Sequence, residues 1–139
     1  IHRMMHHADI FKLSEEDLLW LYPERRLEVA LKDCQADCKS TLFILTMGSD
    51  GSRLFLGDIE VAVAAQRIKN ISDTIGAGDT YMASILCWAM ENRLTSRTAL
   101  NCVDAIALEN AALKAGEAAA INCQRSGCNP PWREELLNI

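Results

Sequence analysis

Apolar residues recur at helical spacing in the first eight positions, IHRMMHHA, at Ile1, Met4, Met5 and Ala8. A chain rarely begins inside an element that needs a partner, so this start implies the carboxy-terminal part of something longer. ADIFKLS then reads as a short buried strand ending in a cap, with Ser14 and Asp17 three residues apart as in a capping arrangement. SEEDLLWLYP predicts a short helix stopped by Pro23, and ERRLEVALKDCQAD a second one with Leu27, Ala30, Leu31 and Cys34 on one face. TLFILTMG has the strongest strand pattern, a near-continuous apolar run that suits a parallel strand covered on both faces. After the turn SDGS, RLFLG and IEVAVAA predict two more strands, the first pair a hairpin. A loop over 73–80 leads to an apolar helix from Tyr81 to Asn92. The polar link RLTS precedes an Ala-rich helical region from Arg97 to about Arg125, which Gly116 is placed to kink, and GCNPP ends it before a closing helix in WREELL. Strands alternating with helices make this an α/β chain, with a mostly parallel sheet and one inserted hairpin.

Composition narrows the classes. The 139 residues suit one modest domain, 50% of them are hydrophobic, and the net charge of −5 with scattered lysines and arginines argues against a nucleic-acid surface. No apolar run approaches the roughly 20 residues of a membrane span. No export pattern is recognisable, so the expected compartment is the cytoplasm. Cys34, Cys38, Cys87, Cys102, Cys123 and Cys128 form no CxxC pair and read as reduced thiols, mostly packed as small hydrophobes. His6 and His7 fall on different helix faces and His2 near the terminus, which makes a metal role there a minor reading. Trp20, Trp88 and Trp132 are expected to pack in the core or at a domain edge.

The chemistry concentrates in DTIGAGDT, Asp73 to Thr80. Gly76 and Gly78 let the backbone turn sharply and bring its N–H groups close to a ligand. Those groups head a helix, where unsatisfied donors and the macrodipole favour an anion. An aspartate beside such a hole repels a phosphate, so Asp79 suits a base for an attacking hydroxyl better than a phosphate ligand. The competing reading is a simple turn with Asp79 as the helix cap. A dinucleotide-binding reading fails because the residues that follow, through Tyr81 and Met82, supply no third glycine.

DTIGAGD matches completely the seven-residue second signature, D-T-x-G-A-G-D, of the pfkB (ribokinase-like) carbohydrate kinases. TLFILTMGSDGSRLF resembles that family's strand, glycine turn and hairpin beside the nucleotide phosphates. ADIFKLSEEDLLWL is similar to the strand and helix before it, and AAAINCQRSGCNPPWREEL to the closing helix and tail. The resemblance runs through all 139 residues in family order, and its wording is most like fructokinases. It implies a ribokinase-like three-layer α/β/α fold of which residues 1–139 are the carboxy-terminal portion, without the amino-terminal half and lid that carry most sugar contacts. It implies an ATP-dependent sugar kinase, with Asp79 as base and Gly76, Ala77 and Gly78 as the anion hole. Thr46, Gly48 and Gly51 match the nucleotide-side turn. Glu15 would order Mg2+ through water, and Asp73, the Ile75 carbonyl and the backbone near Asn122 and Gly127 match a monovalent-cation (K+) site. Lys12 stands where the family often has asparagine in N-x-x-E, and Pro131 near where some relatives place a serine ligand. Gly116-Glu117 is more polar than the nucleotide-side helix leads one to expect. ATP and a small sugar are the implied partners, with no nucleic acid, no membrane, and a homodimer in the full-length protein. The alternative is a truncated, non-catalytic nucleotide-binding or scaffold remnant.

Overall fold

In the computed structural model, which describes residues 1–38 and 41–136, alternating strand residues give a four-stranded sheet two covered faces. The order along the chain is α1 (His2–Met5), β1 (Ile10–Ser14), α2 (Glu15–Leu21), α3 (Leu27–Asp37) and β2 (Leu42–Thr46). A 3-10 turn (Gly48–Asp50), β3 (Ser52–Leu56) and β4 (Ile59–Val63) follow, then α4 (Ala77–Glu91), α5 (Arg97–Leu100), α6 (Ala105–Cys123) and α7 (Arg133–Leu136). The strands lie in the order β1-β2-β3-β4.

The expectation of a mostly parallel sheet needs correction within the described residues. Only β1 and β2 run parallel, Ile10 opposite Leu42 through Ser14 opposite Thr46, while β2–β3 and β3–β4 are antiparallel. Connection length decides this. Tight turns join the later strands and force them antiparallel, whereas α2 and α3 supply the long crossover that a parallel pair requires.

Leu42, Ile44, Leu54, Leu56, Val61 and Val63 face α4 and α6 in the larger core. Leu13, Phe43 and Leu45 face the other way, onto Met5, Leu18, Ala30, Leu31 and Cys34. The result is three layers, helices on both sides of the sheet. Phe43 stacks between Phe11 and Phe55 at centroid distances of 5.9 and 5.8 Å on the second face. Arg53 bridges Glu28 of α3 at 2.7 Å and Glu60 of β4 at 2.8 Å, tying that face to the hairpin.

Helix ends follow local chemistry, in places hidden from the sequence pattern. Ser14 forms the expected capping box with Asp17. The single helical region read over 97–125 is two helices, because Ser96 and Asp104 each cap a start, accepting from the N–H groups of Ala99 and Ala107. α6 then runs unbroken through Gly116, which therefore does not divide it. α4 begins at Ala77, ahead of the expected Tyr81. All six cysteines are free, but Cys87, Cys102 and Cys128 are exposed rather than packed. Burial pushes the Cys34 thiol up to about 11, which leaves it protonated and inert at neutral pH. Trp88 packs on the core, whereas Trp20 and Trp132 are 73% and 76% exposed. Among the described residues no helix is long and apolar enough to cross a membrane.

Gly51 closes the turn between β2 and β3 with φ of +98°, and a Cβ there would stand 2.0 Å from the Val63 carbonyl oxygen. Backbone cannot move aside as a side-chain tip can. Gly51→Ala is expected to destabilise the fold by about 2 kcal/mol or more, read as a lowered midpoint in denaturant titration. At the other end, Arg125 bonds the Glu135 carboxylate, and this bond with the Trp132 N–H holds Glu135 below the usual carboxylate range. A carboxyl lowered by folding adds stability above its unfolded value, and that contribution is lost as pH falls through the lowered one. Acidification is therefore expected to undock α7 before the sheet opens, seen as hydrogen exchange rising at residues 133–136 while β2 stays protected.

Candidate active site

The loop after Ile71 is pinned from both sides before it enters α4. Ser72 and Asp73 donate their N–H groups to the Cys123 carbonyl at 2.8 and 3.2 Å. The Asp73 carboxylate accepts from the Ile75 N–H at 2.9 Å and from the Gly127 N–H at 3.2 Å. Asn122, fully buried on α6, donates through Nδ2 to the Ile75 carbonyl at 2.8 Å and accepts from the Asn129 N–H at 2.9 Å. Gly76 then turns with φ of +77°, and a Cβ on it would lie 2.3 Å from Cys128 Sγ.

This pinning sets the donors at the head of α4. The Ile75 carbonyl, which an ordinary helix start would offer to the Asp79 N–H, is engaged by Asn122. The Thr74 carbonyl accepts from Ala77 at 3.2 Å. Among the described residues the N–H groups of Gly76, Gly78 and Asp79 have no acceptor, and no side chain caps the helix. The expected set Gly76, Ala77 and Gly78 is thus modified: the Ala77 N–H is engaged, and that of Asp79 is open. Nor does Asp79 cap the helix. Its carboxylate is exposed and has no hydrogen-bond or ion-pair partner among the described residues. Unsatisfied donors at the positive end of a 15-residue helix attract anions.

A cavity of about 850 Å³ lies beside this helix start. Ala77 and Gly78 line it together with Thr46, Gly48 and Gly51 of the β2–β3 turn, so the residues expected as anion hole and those expected as nucleotide-side turn share one space. Lys12 and Glu15 reach it from β1 and α2. Its other wall is α6, where Ala112, Gly116, Ala119 and Ala120 leave a slot with little side-chain relief. Thr46 is partly structural, since its hydroxyl donates to the Leu13 carbonyl at 3.3 Å. Tyr81 shares a buried hydrogen bond of 2.8 Å with Ser52, fastening α4 to β3. Burial raises the Tyr81 pKa, so the phenol stays neutral. Thr80 Oγ1, one turn into α4, is buried without a partner.

Asp73, Ile75, Asn122 and Gly127 do meet, as one hydrogen-bonded cluster. The Asp73 carboxylate, the Ile75 carbonyl and the Asn122 amide oxygen each accept from an N–H or NH2 donor, which suits loop anchoring. Among the described residues no group of three or more His, Cys, Asp or Glu side chains is placed to hold a metal ion. The Glu15 carboxylate lies in the cavity wall, with no hydrogen-bond or ion-pair partner among the described residues. The sequence reading missed Asn122's side chain, Cys128 behind Gly76, and the Tyr81–Ser52 pair. Each is a long-range contact with no local motif.

Comparison with known proteins gives the family and the fold. Residues 1–135 match the model of the pfkB family carbohydrate kinases. The chain is 36% identical over 111 residues to a fructokinase of Rhizobium leguminosarum bv. trifolii, covering 79% of this chain and 33% of that protein. Ribokinase from Giardia lamblia superposes with a TM-score of 0.81 at 25% identity, covering 99% of this chain and 44% of that one. Fructokinase from Vibrio cholerae O395, in its fructose-, ADP- and calcium-bound form, superposes with a TM-score of 0.76 at 24% identity, with 98% and 42% covered. The chain thus spans between a third and a half of the length of these relatives, and across that span, with the ribokinase-like α/β fold, it belongs to the pfkB family of carbohydrate kinases.

Proposed function

We propose that this chain is the phosphoryl-transfer and nucleotide-binding portion of an ATP-dependent sugar kinase, fructokinase-like in its choice of acceptor. The observation that carries the reading is the head of α4: three N–H donors without acceptors, next to an unpartnered aspartate, on a cavity sized for a nucleotide. Adenine lies against the small residues of α6, and the phosphate chain follows the Gly48–Gly51 turn. The γ-phosphoryl group rests on the N–H groups of Gly76, Gly78 and Asp79, whose dipoles oppose the charge that builds on its oxygens in the loose transition state. Asp79 accepts the proton of the sugar hydroxyl as that oxygen bonds to phosphorus and ADP departs. Glu15 would hold Mg2+, through water, and the ion would supply charge neutralisation to the phosphates. Asp73 holds the loop in place, and no step requires K+. The expected compartment is the cytoplasm, where ATP is available.

A second reading, a non-catalytic nucleotide-binding or scaffold remnant, is favoured by one observation. The match covers only 33% of the fructokinase relative. Nucleotide binding without sugar phosphorylation would select it. The kinase reading predicts fructose-dependent ATP turnover in the full-length polypeptide, and a fall of about 10²- to 10⁴-fold on Asp79→Asn with ATP affinity retained. Unchanged turnover in that variant, measured by coupled ADP release, would remove Asp79 as the base.

A further inference from the structure

The segment that leaves α6 has little backbone bonding to hold it. Among the described residues no backbone-to-backbone hydrogen bond fixes residues 126–131, and Pro130 and Pro131 bring no N–H to make one. Yet three consecutive residues of this stretch touch the groups that set the head of α4. Gly127 donates its N–H to the Asp73 carboxylate at 3.2 Å, Cys128 Sγ stands against Gly76, and Asn129 donates its N–H to Asn122 Oδ1 at 2.9 Å. Their placement therefore has to come from a side chain.

That side chain is Arg125. It lies just past the end of α6 and is not among the residues that line the cavity. Its half-buried guanidinium donates to the carbonyls of Asn129 and Pro130, each at 3.4 Å, and through both terminal nitrogens to the Glu135 carboxylate. Glu135 also accepts from the Trp132 N–H at 2.7 Å, so the chain from 129 to 135 folds around one cation. An exposed ion pair alone contributes little. Here a planar fork engages three acceptors along the segment, which a point charge cannot do. Release of that fork has a defined consequence at α4. Asn129 would swing away and leave the buried Oδ1 of Asn122 without its donor. An enclosed amide left half-satisfied is costly, so it turns to other partners and frees the Ile75 carbonyl. That carbonyl is the one a regular helix start offers to the Asp79 N–H, and one open donor is quenched.

We propose that Arg125 is a positioning residue of the site at the head of α4. By folding residues 129–135 around its guanidinium it keeps Asn122 on the Ile75 carbonyl, and so keeps the Asp79 N–H open for an anion. It acts through Asn129 and Asn122 and touches no ligand itself. The identity of the anion rests on the kinase reading, whereas the link from Arg125 to the Asp79 N–H rests on geometry alone.

The test uses the full-length polypeptide and two readouts. One is amide hydrogen exchange resolved at Asp79 by NMR without ligand, and the other is calorimetric affinity for a non-hydrolysable ATP analogue and for adenosine. Arg125→Met is expected to slow exchange at Asp79 by about 10-fold, as its N–H gains an acceptor. It is expected to weaken the analogue by about 10-fold and to leave adenosine unchanged. Arg125→Lys recovers part of both effects, and the double variant Arg125→Met/Glu135→Gln is no worse than Arg125→Met alone. Arg53→Met breaks the ion pairs with Glu28 and Glu60 on the α3 face of the sheet, and is expected to lower stability while leaving both readouts unchanged. Unchanged or faster exchange at Asp79 in Arg125→Met overturns the assignment. Equal effects in Arg53→Met also overturn it, because they mark general destabilisation. Slowed exchange with unchanged analogue affinity upholds the link to Asp79 and counts against the kinase reading, so the two fail separately.

Discussion

The site depends on one buried amide. Asn122 is fully enclosed on α6, and its Nδ2 takes the carbonyl of Ile75 while its Oδ1 holds the Asn129 N–H. A buried polar side chain left without partners costs more than a hydrogen bond returns, so both contacts are strongly enforced. They fix α6, the glycine loop and the carboxy-terminal tail relative to one another. They also withdraw from α4 the carbonyl that would otherwise quench its first turn, so the same interaction that orders the loop keeps the anion-binding donors open.

The walls of the cavity show a matching economy. Strand ends supply Thr46 and the Gly48–Gly51 turn, and the close approach of Gly51 to Val63 and Ala65 draws that turn against β4. α6 supplies small side chains on its cavity face and larger apolar ones, such as Leu108, toward the sheet. The Tyr81–Ser52 bond locks α4 to β3 where packing alone would permit sliding. Each wall therefore belongs to an element whose other face is buried in the core, which keeps the geometry of the site rigid without dedicated supports.

Much of this was legible in the residue order, for identifiable reasons. The strands carry strict two-residue alternation or continuous apolar runs, and Ser14 with Asp17 signals its cap within four positions. The DTIGAGD segment exposes its chemistry locally, because a glycine turn, a helix start and an aspartate all lie within seven residues. What escaped depends on contacts between distant residues. α4 starts at Ala77 because Gly76 can adopt a left-handed turn against Cys128, 52 positions away in sequence terms. The break at residues 101–104 comes from Asp104 accepting the Ala107 N–H, which an Ala-rich pattern masks. The sheet is mixed because of connection lengths, which the apolar run of β2 does not encode.

Under the proposed reading the labour of phosphoryl transfer divides unevenly. The open donors, the Gly48–Gly51 turn and the α6 slot would address the nucleotide, and each is held by the described core. Asp79, the proposed base, is exposed, and among the described residues it has no hydrogen-bond or ion-pair partner. A base in water gains little from orientation, since its catalytic advantage depends on a hydroxyl held within hydrogen-bond reach and on the exclusion of competing water. In that reading phosphate binding and acceptor binding are physically separable: the first is preorganised by α4, α6 and the β2–β3 turn, and the second depends on holding a hydroxyl within reach of Asp79.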